Sequence, residues 1–220
     1  MELLFPSPAW FYKYNVILEF LFAIVTLIVA YIAFSIYKKT SQKYVLYFGL
    51  GFASFTVSYV IQSVLNLIIL SRMGSSDELL VKLISVQAFN SIGLLTHAFF
   101  FTIGLAFLLF ITFKEKRLRF LAFLILVSVS VIFASTNTLY MFYLISSIFL
   151  LFISWHYMAN YLKSRKLSQL FVALAFLFLF FGHFHFLISV NHQTLYVIGK
   201  LLELLTYCFI LGNFYVVYKK

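Results

Sequence analysis

Two oppositely charged residues, Lys200 and Glu203, sit inside an otherwise apolar stretch, Thr194 to Tyr218, that reads TLYVIGKLLELLTYCFILGNFYVVY. Three residues apart on a helix, their side chains share a face and can pair. A stretch of this length spans a bilayer, which takes about 20 apolar residues. An ionisable group at that depth is expensive and marks a functional site by default. Further ionisable residues lie in other apolar stretches, and the candidates among them are Glu19, His97 and His183. Their types point to ligand binding, through charge pairing and hydrogen bonding, rather than to catalysis. There is no Gly-rich phosphate loop, HExxH, GxSxG or paired-cysteine motif, and no serine has an evident neighbouring base. No catalytic or metal-ligating set is expected.

The elements that must hold these residues are membrane helices. The 220-residue chain is 64% hydrophobic and only 10% charged, where soluble domains run near 45–50% and roughly 25%. Its mean hydropathy is +1.06. Seven apolar spans can be marked: about Asn15–Tyr37, Tyr44–Leu70, Leu79–Phe113, Phe120–Ala134, Leu139–Leu162, Leu167–Val190 and Thr194–Tyr218. They are too long for barrel strands, which take about 9–11 alternating residues, and helices satisfy their own backbone groups in lipid. The expected fold is therefore all-α: one polytopic domain, residues 1–220, with seven transmembrane helices.

The net charge of +10 does not imply nucleic-acid binding, because the basic residues punctuate the spans. All but Lys13, Arg72, Lys82 and Lys200 fall after the first, third and fifth spans or at the C-terminus, in clusters such as Lys114–Arg119 and Lys163–Lys166. The positive-inside rule then places the N-terminus outside and the C-terminus in the cytoplasm of a cell-membrane protein. The N-terminus lacks a basic n-region and reads as mature sequence. There Pro6, Pro8, Trp10, Phe11, Tyr12 and Tyr14 are expected to anchor at the interface. Cys208, the one cysteine, excludes an intrachain disulfide and reads as a small packing residue.

At about 1.5 Å per residue, Glu19 lies about 7 Å and Glu203 about 12 Å below the outer interface. His183 and His97 lie about 20 and 24 Å above the inner one, in a core of about 30 Å. With Lys200 they gather in the outer half, level with Gln62, Asn66, Gln87 and Asn90, and form the expected polar pocket. The alternative for Lys200 and Glu19 is snorkelling to the outer interface. His183 and His185, two apart, point to nearly opposite sides, so one of them at most faces the pocket. His156 and His192 read as interfacial.

Several resemblances bear on function. GKLLELLTY, Gly199 to Tyr207, follows a span carrying FGHFHF, and this ending resembles the seven-helix sensor domains of bacterial and archaeal histidine kinases and similar uncharacterised archaeal membrane proteins. It implies a non-enzymatic, receptor-like protein. The chain ends at Lys220 with no kinase or cyclase domain, so a partner protein is expected to carry the signal. LLTHAFF, Leu94–Phe100, echoes LLTYCFI, Leu204–Ile210, and YFGLGFASF of span two echoes FVALAFLFL of span six. A parallel 3+1+3 repeat of this kind, with the N-terminus outside, resembles the SWEET and PQ-loop transporters. Their proline–glutamine pairs in spans one and five are missing here, since Pro6 and Pro8 precede span one. A b-type haem subunit, ligated by His97 and His183, is a third reading. An accessory subunit of a larger membrane complex is a fourth. A retinal protein is excluded: Lys200 lies too near the outer end of its span, and span three has no carboxylate after Glu78. Beyond the haem reading, the residue types identify no cofactor.

Overall fold

The computed structural model describes residues 8, 10–73, 79–115, 117–189 and 193–218, of which 72–73, 79–85, 215 and 217–218 are described by backbone alone. Pro6, Glu78, Lys116, His192, Lys219 and Lys220 lie outside the described residues. The secondary structure of the described residues is all helical: α1 Tyr12–Thr40, α2 Lys43–Met73, α3 Leu79–Thr112, α4 Leu118–Ala134, α5 Thr138–Ser164, α6 Leu167–Ile188 and α7 Gln193–Tyr218. Six are long and apolar enough to cross a membrane; α4, with 17 residues, is the shorter one. At 1.5 Å per residue α4 reaches about 26 Å, just short of a typical hydrocarbon core.

The helices close a ring in the order α1, α2, α3, α5, α6, α7 and back to α1, and α4 packs on α3 and α5. The distribution of side chains is the reverse of a soluble bundle. Helix α1 buries Asn15, Glu19 and Thr26 and turns Ile17, Phe20, Leu27 and Tyr31 outward. An apolar exterior around an interior that holds buried carboxylates and amides suits a lipid environment, and with six helices long and apolar enough to cross a membrane the chain reads as an integral membrane bundle.

Turn chemistry fixes the ends. Ser41 after α1, Lys114 after α3 and Arg165 after α5 all adopt left-handed backbone conformations, with φ of 53°, 54° and 52°. Ser41 and Arg165 return their N–H to the carbonyls of Tyr37 and Tyr161, closing the last turn. The basic residues beside these caps also face the negative helix ends. At the other end Asn137 caps α5 by accepting the N–H of Tyr140 at 3.1 Å.

Two pairs of helices touch backbone to backbone. A Cβ on Gly104 of α3 would stand 2.8 Å from the Gly51 carbonyl oxygen of α2, and one on Gly199 of α7 would stand 3.0 Å from that of Gly182 on α6. A phenylalanine lies over one glycine of each pair, Phe55 over Gly104 and Phe186 over Gly199. Hydroxyls add cross-links: Thr56 donates to Thr26 between α2 and α1, and Thr206 donates to the Ala175 carbonyl between α7 and α6, both at 3.1 Å. These are the small-residue contacts by which helices associate when lipid supplies no hydrophobic drive.

Candidate functional site

Helices α1 and α7, which pack on one another, each bury a carboxylate, and α2 supplies partners to both. Among the six acidic residues of the chain, Glu19 and Glu203 lie inside apolar helices, and they are 1% and 2% exposed. Lys200 is 6% exposed, so neither Lys200 nor Glu19 snorkels to the interface.

Glu203 is held from two sides. The Lys200 ammonium donates to its Oε2 at 3.0 Å, as the spacing of three leads one to expect. Tyr59 of α2 donates to its Oε1, and Tyr207, one turn beyond Glu203, donates to the Tyr59 hydroxyl at 2.8 Å. The ammonium also lies 5.5 to 5.9 Å from the ring centroids of Phe22, Phe186 and Tyr196, a distance at which aromatic faces attract a cation.

Glu19 is held by amides. Asn15, one turn earlier on α1, donates to its Oε1 at 2.8 Å, and Asn66 of α2 donates to its Oε2 at 2.7 Å. The amide oxygens are occupied in turn: Tyr196 donates to Asn15 at 3.2 Å and Tyr12 to Asn66 at 3.1 Å. Tyrosine partners on the oxygen ends therefore orient both amides with their N–H groups toward Glu19.

The histidines occupy the α3 and α6 side. His97 Nδ1 lies 2.7 Å from the Ser58 hydroxyl of α2. His183 is enclosed by rings: it stacks on Phe101 at 4.8 Å and meets Phe142, Tyr143 and Phe186 at 5.7 to 5.9 Å. His185 instead bonds the Phe181 carbonyl on its own helix at 2.7 Å, so it is His183 that faces the interior. Phe101 and Phe142 contact both His97 and His183.

Two cavities meet at this site. A polar one of about 30 Å³ is lined by Tyr12, Asn15, Glu19, Gln62, Asn66, Asn90, Leu94, His97, Tyr143, Tyr196 and Lys200. A larger, mostly apolar one of about 250 Å³ lies between α3 and the start of α5, lined by Ser91, Leu94, Leu95, His97, Ala98, Thr138, Leu139, Phe142 and Tyr143. Leu94, His97 and Tyr143 form the wall they share.

Of the expected site residues, Glu19, His97 and Lys200 line the polar cavity, Glu203 braces Lys200 from behind, and His183 is packed away from both cavities. Gln62, Asn66 and Asn90 join the nest, but Gln87 faces outward. Phe11 and Tyr12 are buried in the bundle rather than anchored at the interface, whereas Trp10 and Tyr14 are exposed. Cys208 faces out of the bundle instead of packing within it. Tyr59, Tyr196, Tyr207, Asn15 and Ser58 are participants that the sequence reading did not name. The signal for Asn15 and Tyr207 is their spacing of four from Glu19 and Glu203, which puts each on the acid's own face. No protein-family model matches the chain, and neither a curated protein nor a solved structure matches it.

Proposed function

We propose that the chain is a non-enzymatic, receptor-like membrane protein of seven spans that binds a small ligand in the outer half of the bundle and acts through a protein partner. The observation that carries this reading is the pair of cavities joined at His97: an apolar chamber that opens between α3 and α5, and behind it a polar nest built on Glu19 and Lys200. A ligand with an apolar body and a hydrogen-bonding group suits that sequence of surfaces. Transport is the second reading, and the absence of proline within α1 and α5 counts against it.

The two three-helix units of a 3+1+3 repeat correspond to α1–α3 and α5–α7, with α4 as the connector. Packing of α4 on α3 and α5 alone supports that division. So does the placement of His97 and Tyr207, which occupy matching positions in the echoed sequences and both pack on the ring of Tyr59, at 5.5 and 6.0 Å.

Native mass spectrometry of the purified chain tests the ligand. Parent protein is expected to carry an added small-molecule mass, and Leu95→Trp, which fills the lateral chamber from its exposed rim, is expected to lose it. Identical spectra for the two would end the reading. Orientation is tested separately, in a Cys208→Ala background. An impermeant maleimide applied outside intact cells is expected to label Thr136→Cys, in the turn before α5, and to spare Ser164→Cys at the end of α5. The reverse pattern would invert the topology.

A further inference from the structure

The nest carries one negative charge too many. Glu203 has Lys200 as its counter-ion. Glu19 shares its cavity with Lys200 but is hydrogen-bonded by Asn15 and Asn66, and those amides, bonded from behind by Tyr196 and Tyr12, present a donor to each of its oxygens. That arrangement is complementary to an ionised carboxylate, which is acceptor-only. With histidine counted as neutral and Glu19 in its ionised form, the buried set of Glu19, Glu203 and Lys200 sums to one negative charge, a costly state for a low-dielectric interior that either a proton or a bound cation offsets.

A second observation points to what offsets it. Gln62 is 9% exposed and lines the Glu19 cavity, and its Oε1 is buried with no hydrogen-bond partner. A Cβ on Gly93, opposite, would stand 3.4 Å from that oxygen, in ordinary contact. The cavity of about 30 Å³ has space for one or two water-sized occupants. Its acceptors are carboxylate and amide oxygens, the hard donors that alkali and alkaline-earth ions prefer. The described residues hold no group of three or more His, Cys, Asp or Glu that would select a transition metal. Lys200, also on the wall, opposes a divalent ion and leaves a deficit of one charge.

We infer that the Glu19 cavity is a binding site for one small monovalent cation of sodium's size, held by the Glu19 carboxylate and the Gln62 amide oxygen. This ion is a separate occupant of the nest and stands whether or not the lateral chamber holds an organic ligand.

The test is the unfolding midpoint of the detergent-purified chain, followed by intrinsic fluorescence while sodium chloride replaces N-methyl-D-glucamine chloride at constant ionic strength. A saturable rise of a few degrees with sodium is expected, because a ligand that binds only the folded state stabilises by mass action. Glu19→Gln is expected to lose that rise while still folding. Gln62→Leu keeps the charge and removes one oxygen donor, and is expected to weaken the apparent sodium affinity roughly tenfold or more. Equal midpoints in the two salts would overturn the site, as would a sodium response unchanged in both variants. Failure here with a ligand still seen in the mass spectrum would leave the receptor reading intact.

Discussion

Glu203→Ala is expected to lower the stability of the bundle by about 3–5 kcal/mol, since removing one partner of a buried ion pair leaves the other charge uncompensated. The loss has three parts. Lys200, 6% exposed in the parent, loses the one carboxylate it is bonded to. Tyr59 loses the acceptor of its hydroxyl, and Tyr207 is left bonded to a tyrosine that no longer has an anchor. The three rings around Lys200 offset little of this, because a cation–π contact contributes about 0.5–2 kcal/mol. A double variant, Lys200→Met with Glu203→Leu, removes both charges together and is expected to unfold within about 2 kcal/mol of the parent, as apolar replacements of buried pairs commonly do. Thermal unfolding in detergent reads both. The pair has no structural weight if Glu203→Ala matches the parent. The pair exists for stability alone if the double variant is as damaged as the single one.

That contrast also separates what hydropathy encodes from what it does not. Depth is written in the sequence: apolar runs ended by Lys38 and Lys39, by Lys114 and by Lys163 mark where helices stop, and α6 begins at Leu167 just where the run does. Local spacing is written too, so the Lys200–Glu203 pair and the opposed faces of His183 and His185 could be read directly. Rotation about the helix axis is not. A helix apolar on every side gives no amphipathic period, so Gln87 and Asn90 share a level yet only Asn90 turns inward. Tyrosine carries the same ambiguity. Fifteen are present, and each has an apolar body suited to lipid and a hydroxyl suited to a buried acid. Which of them reach Glu203 or the Asn15 amide is decided by neighbours on other helices. Tyr12 shows the cost: its N-terminal setting among aromatics looks interfacial, but α2 offers it Asn66.

Gly104→Val is expected to damage the protein as severely as the loss of Glu203, although it touches no charge. The new Cβ would meet the Phe55 ring at 2.5 Å and the Gly51 carbonyl oxygen at 2.8 Å. A ring can swing aside; a backbone oxygen on a packed helix cannot, and a β-branched side chain has little rotamer freedom with which to avoid it. Helices α2 and α3 must therefore part. Phe55 packs on Phe101 at 4.6 Å, and Phe101 stacks on His183, so displacement of the ring spreads across the bundle. Tyr59 lies one turn beyond Phe55 on the same helix and carries the hydrogen bond to Glu203. Overpacking alone costs about 1–3 kcal/mol, and disturbance of the Tyr59–Glu203 bond adds to it. Gly93→Ala, eleven residues earlier on the same helix, sets the comparison. Its nearest neighbours would stand at 3.4 Å, ordinary contact, and alanine is favoured over glycine in a helix by about 1 kcal/mol. The expected order of unfolding midpoints is Gly93→Ala at or above the parent, with Gly104→Val far below it. Equal shifts at the two positions would mean that the close approach of α2 and α3 does not hold the nest in place.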